Sequence, residues 1–210
     1  MDLIFFGMQG AGKGTLGKQI SEKYGFKMFE TGEALRKLSK EESELGKKVK
    51  SIIEAGHLVS NEVVMEIVEN FLHNLQPGEN ALFDGIPRKV EQANLLNELL
   101  NNHGRKYMAV LIDIKKETAL KRLTTRRICG KCKAVYPADY KEPSCKACGG
   151  ELTTRADDND EAIKTRLNAF ENETVPAIDL YKDKLIKING EPYIDEVFKL
   201  AITALDPILK

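Results

Sequence analysis

The nine residues Gly7–Thr15, GMQGAGKGT, follow the apolar run LIFF and precede a stretch in which Leu16, Ile20 and Tyr24 recur every four residues before Gly25. A short apolar run marks a strand buried in a parallel sheet, and a four-residue recurrence closed by glycine marks a helix. A strand that enters a glycine-rich turn and leaves as a helix is the setting of a phosphate-binding loop. Glycines at 7, 10, 12 and 14 let backbone N–H groups converge on phosphate oxygens, the helix N-terminus adds its positive end, and Lys13 adds a mobile charge. The hydroxyl stands one place later than in the common G-x-x-x-x-G-K-[ST], at Thr15, because Gly14 follows Lys13.

The remaining chain repeats the alternation. KMFE (27–30), ALFD (81–84), YMAVLIDI (107–114) and LIKI (185–188) are four more strand candidates. Short helices are expected over 33–38 and 43–55, the second ended by Gly56. Ser60 is placed to cap a longer one whose apolar face is Val63, Val64, Ile67, Val68, Phe71, Leu72 and Leu75. Further helices are expected over 90–100, through Ala119, Leu120 and Leu123, and from near Asp160 through Ile163, Leu167 and Phe170, with Pro176 as a kink or break. Asn189-Gly190 reads as a turn, and Pro192 as the first residue of a last helix. The expected fold is therefore α/β, with a five-stranded parallel sheet between two helical layers.

Composition narrows the function. A chain of 210 residues with 42% apolar content is one main domain with room for insertions. The 32 basic and 32 acidic residues cancel, which removes the general electrostatic case for a nucleic-acid or membrane-surface partner. No apolar run nears the roughly 20 residues of a membrane span, and the N-terminus lacks a signal-peptide layout, so a cytoplasmic location is expected. Asp84 stands at the end of a buried strand, where a carboxylate can orient the water shell of Mg²⁺ or simply open the turn at Gly85.

All four cysteines fall in two C-x₂-C pairs, Cys129/Cys132 and Cys145/Cys148, with twelve residues between them. Four soft ligands from two short turns suit tetrahedral Zn²⁺, and leave no open position, so such a zinc is structural. Disulfides and an iron–sulfur centre are the other readings, the first at odds with a reducing compartment. Basic residues bracket the segment, RLTTRRIC before it and TTRADD after it. Clustered arginines on both flanks describe a hinged lid that clamps phosphate and excludes competing water.

Taken together, GMQGAGKGT, TGEALR, GHLVSNE, FDGIPRKVEQA, RLTTRRICGKC, CKACGG, LTTRADDNDEAIKTRL and INGEPYIDEV resemble the adenylate kinase family, in its long form with a zinc-held lid, over essentially the whole chain. The resemblance implies a core of residues 1–29, 60–121 and 160–210, a helical AMP-binding insertion at 30–59 and a small β lid at 122–159. It implies that Gly10, Ala11, Gly12, Lys13, Gly14 and Thr15 hold ATP phosphates, with Arg122 against the ATP base and backbone near Gly190 reading it. On the acceptor side it implies that Thr31, Arg36 and Gly85 contact AMP, that His57, Leu58 and Val59 line the adenine pocket, that Arg88 clamps the phosphate and that Gln92 reads the base. Arg126, Arg155 and Arg166 would surround the transferring group, and Asp157 and Asp158 would help the lid close.

The implied reaction is reversible Mg²⁺-dependent transfer from ATP to AMP giving two ADP, by a monomer without nucleic-acid or membrane partners. The chain departs from the family's pattern at Gln9, Glu33, Ser60-Asn61 and Ile86. None of these removes a charged phosphate contact.

Overall fold

The computed structural model describes residues 1–155 and 157–210. Five parallel strands form the central sheet: β1 (Asp2–Phe6), β2 (Lys27–Glu30), β3 (Ala81–Asp84), β4 (Tyr107–Asp113) and β8 (Leu185–Asn189), in the spatial order β2-β3-β1-β4-β8. Every residue of β1 is buried, as a central strand covered on both faces requires. Its register runs Leu3 against Leu82 on one side and Leu3 against Met108 on the other. The order reverses beside β1, which puts the phosphate loop at the switch point where open α/β sheets bind ligands.

Helices α1 (Lys13–Tyr24) and α9 (Ile194–Leu209) pack together on one side, and α4 (Asn61–His73), α5 (Val90–Asn102) and α8 (Val175–Asp179) form a second packed group. The three-layer α/β expectation is met. Helices α2 (Thr31–Leu38) and α3 (Glu44–Glu54) stand between β2 and β3 in the chain. Between α6 (Lys116–Thr125) and α7 (Asp160–Ala169) lies a small antiparallel sheet of β5 (Arg127–Cys129), β6 (Val135–Tyr136) and β7 (Leu152–Thr153), ordered β6-β5-β7. Among the described residues no helix is long and apolar enough to cross a membrane.

One buried ion pair ties the sheet's base together. Asp2, only 1% exposed, accepts from Arg105 Nε at 2.5 Å and Nη2 at 2.8 Å and from Ala81 N at 2.8 Å.

Three local expectations need correction, and the turn at Asn189-Gly190 gains detail. Ser60 takes the N-cap position of α4, but its side chain makes no cap hydrogen bond to the helix. Pro192 lies two residues before α9, whose N-cap is Tyr193. Asn189 ends β8, and its side chain accepts from Glu191 N at 3.1 Å, so the turn there is built by the side chain. At Pro176 the helical path does not stop: a π-helical turn, Phe170–Thr174, precedes it, and α8 follows with the proline in its first turn.

Candidate active site

Beyond Phe6 the chain turns back on itself, with Ala11 N donating to Met8 O at 3.0 Å, and α1 opens as Leu16 N donates to Gly12 O at 2.9 Å. Gly12 caps the helix at φ 89°, a left-handed backbone that suits glycine. Lys13 Nζ straps the loop by donating to Gly7 O at 2.7 Å and Met8 O at 3.2 Å. Burial lowers its pKa to about 8; Asp84 resists that shift, and Arg88, Arg126 and Arg166 add to it. One ammonium thus feels a carboxylate at the end of β3 and three guanidinium groups from distant parts of the chain.

On the β2–β3 side, Glu30 and Asp84 are register partners at the ends of neighbouring strands. A Cβ placed on Gly14 would lie 3.4 Å from Glu30 Oε2 and 3.5 Å from Asp84 Oδ2, so both carboxylates meet at the first turn of α1. Burial pushes both pKa values up; for Asp84 the neighbouring Lys13, Arg88, Arg155 and Arg36 oppose the rise. Arg88 Nε donates to Gly85 O at 2.9 Å, and Arg88 N donates to Gln92 Oε1 at 2.8 Å. Gln92 is 3% exposed and commits its carbonyl oxygen to that backbone, one residue further back than a capping box reaches. Thr31 begins α2 with 3% exposure and a hydroxyl that has no partner among the described residues. Arg36 folds back over Gly32, its Nη1 3.1 Å from where a Cβ would stand, and shares an electrostatic field with Arg88 and Arg155.

His57 and Leu58 line a groove of about 290 Å³ with Gly56, Thr165, Asn168, Ala169, Asn172 and Glu173, while Val59 is buried in the core. None of Thr31, Arg88 and Gln92 lines that groove.

The other arginines are gathered by two aspartates. Arg126 forms a bidentate pair with Asp158, Nε to Oδ2 at 2.9 Å and Nη2 to Oδ1 at 2.7 Å. Asp158 Oδ1 also accepts from Arg166 Nη2 at 2.9 Å, and Asp157 accepts from Arg166 Nη1 at 3.2 Å. Burial and the neighbouring Arg126 and Arg36 lower the Arg155 pKa to about 10, against the pull of Asp157 and Asp158. Arg122 clamps backbone instead: it donates to Gly190 O at 3.0 Å, Glu191 O at 2.9 Å and, more weakly, Pro192 O at 3.4 Å and Gly10 O at 3.5 Å. Its donors are spent at the edge, which leaves the flat faces for stacking. Gly190 must be glycine, since a Cβ there would fall 2.6 Å from Ile112 Cγ2. Thr15 faces solvent on the first turn of α1.

The cysteines converge as their spacing predicts. All four Sγ atoms lie within 4.8 Å of one another, with Cys129 to Cys148 at 3.5 Å and Cys132 to Cys145 at 3.4 Å. These are not disulfides: all four thiols are free. A tetrahedron with metal–sulfur bonds of about 2.3 Å has edges of about 3.8 Å, so the cluster fits a metal ion. Lys131 N and Cys132 N both donate to Cys129 Sγ at 3.4 Å, and Tyr136 Oη lies 3.0 Å from Cys145 Sγ. Such donors favour thiolate; that of Tyr136 leads in drawing the Cys145 pKa down to about 6.

A family model described as Adenylate kinase matches residues 5–186 of this chain. The chain belongs to the adenylate kinase family. Curated relatives named "Adenylate kinase" include one from Archaeoglobus fulgidus, 40% identical over 99% of each chain. Those from Bacillus licheniformis and Bacillus cytotoxicus are 40% and 42% identical over 94% of this chain and 94% and 95% of theirs.

Within this adenylate kinase scaffold the sequence reading missed two features. Glu30 joins Asp84, and the available signal was its place as the last residue of a strand paired with ALFD. For Asp158, which the sequence singles out, the missing part is the pairing: one carboxylate bridges Arg126 and Arg166.

Proposed function

We propose that this protein transfers the terminal phosphoryl group of ATP to AMP, reversibly, giving two ADP. Family membership supports the reaction class, and the observation that carries it is the field on Lys13, in which Asp84, Arg88, Arg126 and Arg166 all take part. A phosphate chain lying along the loop meets cations from both sides, as in-line transfer between two phosphates requires.

Residues Gly10, Ala11, Gly12, Gly14 and Thr15, with Lys13, hold the ATP phosphates. Arg122 and backbone at Gly190 border the donor base. Thr31, Arg36, Gly85, Arg88 and Gln92 form the AMP side, with residues 57–59 at its margin. Arg126, Arg155 and Arg166 neutralise charge that spreads over the equatorial oxygens. No general base is needed, because an AMP phosphate oxygen is already anionic near pH 7, its second pKa being about 6. Asp84 and Glu30 offer hard oxygen acceptors beside Gly14, which suits the hydrated Mg²⁺ that accompanies ATP. Held there through its water shell by Asp84 and Glu30, such an ion would supply positive charge to the phosphates. Asp157 and Asp158 hold Arg126 and Arg166 in register as the lid closes.

The division of labour follows the insertions: 30–59 binds AMP, 122–159 is the lid, and 1–29, 60–121 and 160–210 form the core. Cys129, Cys132, Cys145 and Cys148 hold a structural Zn²⁺. The protein acts as a monomer in the cytoplasm, where free thiolates persist. An acceptor panel tests the proposal: with Mg-ATP, AMP should give ADP, and CMP, UMP and GMP should give little product. Equal turnover of all four monophosphates would refute it.

A further inference from the structure

We infer that Thr174, in the π-helical turn after α7, is a positioning residue for Arg88 and hence for the acceptor phosphate; the inference rests on the role proposed for Arg88 above. Helix α7 buries Ala162, Ile163, Arg166 and Leu167, and the chain continues inward with Phe170, Thr174, Ala177 and Ile178. Ala162, Arg166, Phe170, Thr174 and Ile178 are four residues apart, and on an α-helix each such step drifts by about 40° around the axis. The π turn winds more slowly and offsets that drift, so Thr174 stays on the buried face. It closes with Val175 N donating to Phe170 O, just before Pro176, which has no N–H to give the ladder.

A helical threonine ordinarily returns its hydroxyl to its own helix. Thr124 does so to Leu120 O at 3.0 Å, Thr165 to Glu161 O at 2.9 Å and Thr203 to Lys199 O at 3.0 Å. Thr174 differs. Only 7% exposed, it donates to Arg88 O at 3.0 Å, across 86 positions of chain. The adjacent Glu173 pairs with Lys89 Nζ at 3.4 Å, so consecutive residues of the π turn hold consecutive residues of the Arg88 segment.

Arg88 is thereby fixed three ways: its N–H by Gln92 Oε1, its carbonyl by Thr174 and its Nε by Gly85 O. Two of these restraints come from the segment's own neighbourhood. Thr174 alone ties Arg88 to the helix that carries Arg166, and so sets one phosphate-facing arginine against another. Without the hydroxyl, the Arg88 carbonyl lacks that donor and the segment shifts to find a new one, moving the guanidinium off the AMP phosphate. ATP contacts, carried by the loop, are untouched.

The test is Thr174→Val, which keeps shape and removes the donor, with Thr174→Ser restoring it. The Val variant should lower kcat/KM for AMP about tenfold and weaken AMP binding by titration calorimetry similarly, with KM for ATP within about twofold. The Ser variant should recover AMP binding to within about twofold. If Val does not fold, Thr174→Ala serves the same comparison. Unchanged AMP affinity, equal weakening of AMP and ATP, or no recovery with Ser would overturn the inference. A wild-type protein that makes no ADP from AMP would instead overturn the proposed function itself.

Discussion

The phosphate loop rests on a sheet in which Leu3, Ile4, Leu82 and Phe83 have no exposed surface, whereas the antiparallel strands from Arg127 to Thr153 enclose just Cys129, Tyr136 and Cys145 as buried residues. Arg126, just before the second region, contributes to the field on Lys13 in the first. The first is held by apolar burial across a whole domain, at about 25 cal/mol per Å². The second is too small for that, and its four converged thiols are placed so that a metal could stand in for the missing core. The sheet and the proposed lid can therefore be perturbed one at a time.

Lys13→Met gives the largest effect. It removes the charge at the centre of the site but no core packing, so kcat/KM should fall by about 10²–10³-fold or more while the melting temperature holds. A variant that unfolds instead would show that the strap across Gly7 and Met8 is structural.

Asp2→Ala acts on the sheet alone. It leaves Arg105 and Ala81 N without their buried acceptor and should cost about 3–5 kcal/mol of global stability by urea titration. Nucleotide affinities measured well below the melting point should not move.

Removal of the proposed Zn²⁺ should act on the cysteine segment alone. A chelator should lower the melting temperature while activity at low temperature survives. Prompt loss of activity with an intact melting profile would mean that the ion takes part in the chemistry.

The smallest effect is on pH dependence. Between about 8 and 10.5 an unfolded chain keeps a proton on Lys13 that the folded protein has released, so this group makes stability rise with pH in that window. Urea midpoints at pH 7.5 and 9.5 should show that rise in the wild type relative to Lys13→Met. Equal slopes would mean that burial does not depress Lys13.

Much of this was readable in advance because each region carries a local signature. Central parallel strands are apolar throughout, so LIFF, ALFD and YMAVLIDI declared themselves, and the paired C-x₂-C turns did the same for the lid. What escaped depends on partners far apart in the chain. Asp2 meets Arg105 across 103 positions, and Glu30 meets Asp84 through strand order, which no local pattern encodes. The π turn was hidden for another reason: Pro176 announces a disturbance, but where the extra residue is absorbed depends on which side chains must stay buried. Gln92 and Arg122 show the same limit in the site, since their present backbone partners, Arg88 N and the carbonyls around Gly190, are set by the folded loops.

The proposed reaction requires the sheet and the lid together to deliver the phosphoryl group to AMP and keep it from water. Phosphorus NMR of the protein with Mg-ATP and AMP reads both fates in one spectrum. ADP as the sole product, with inorganic phosphate at background, is the predicted result. Inorganic phosphate released at the same rate with or without AMP would contradict it.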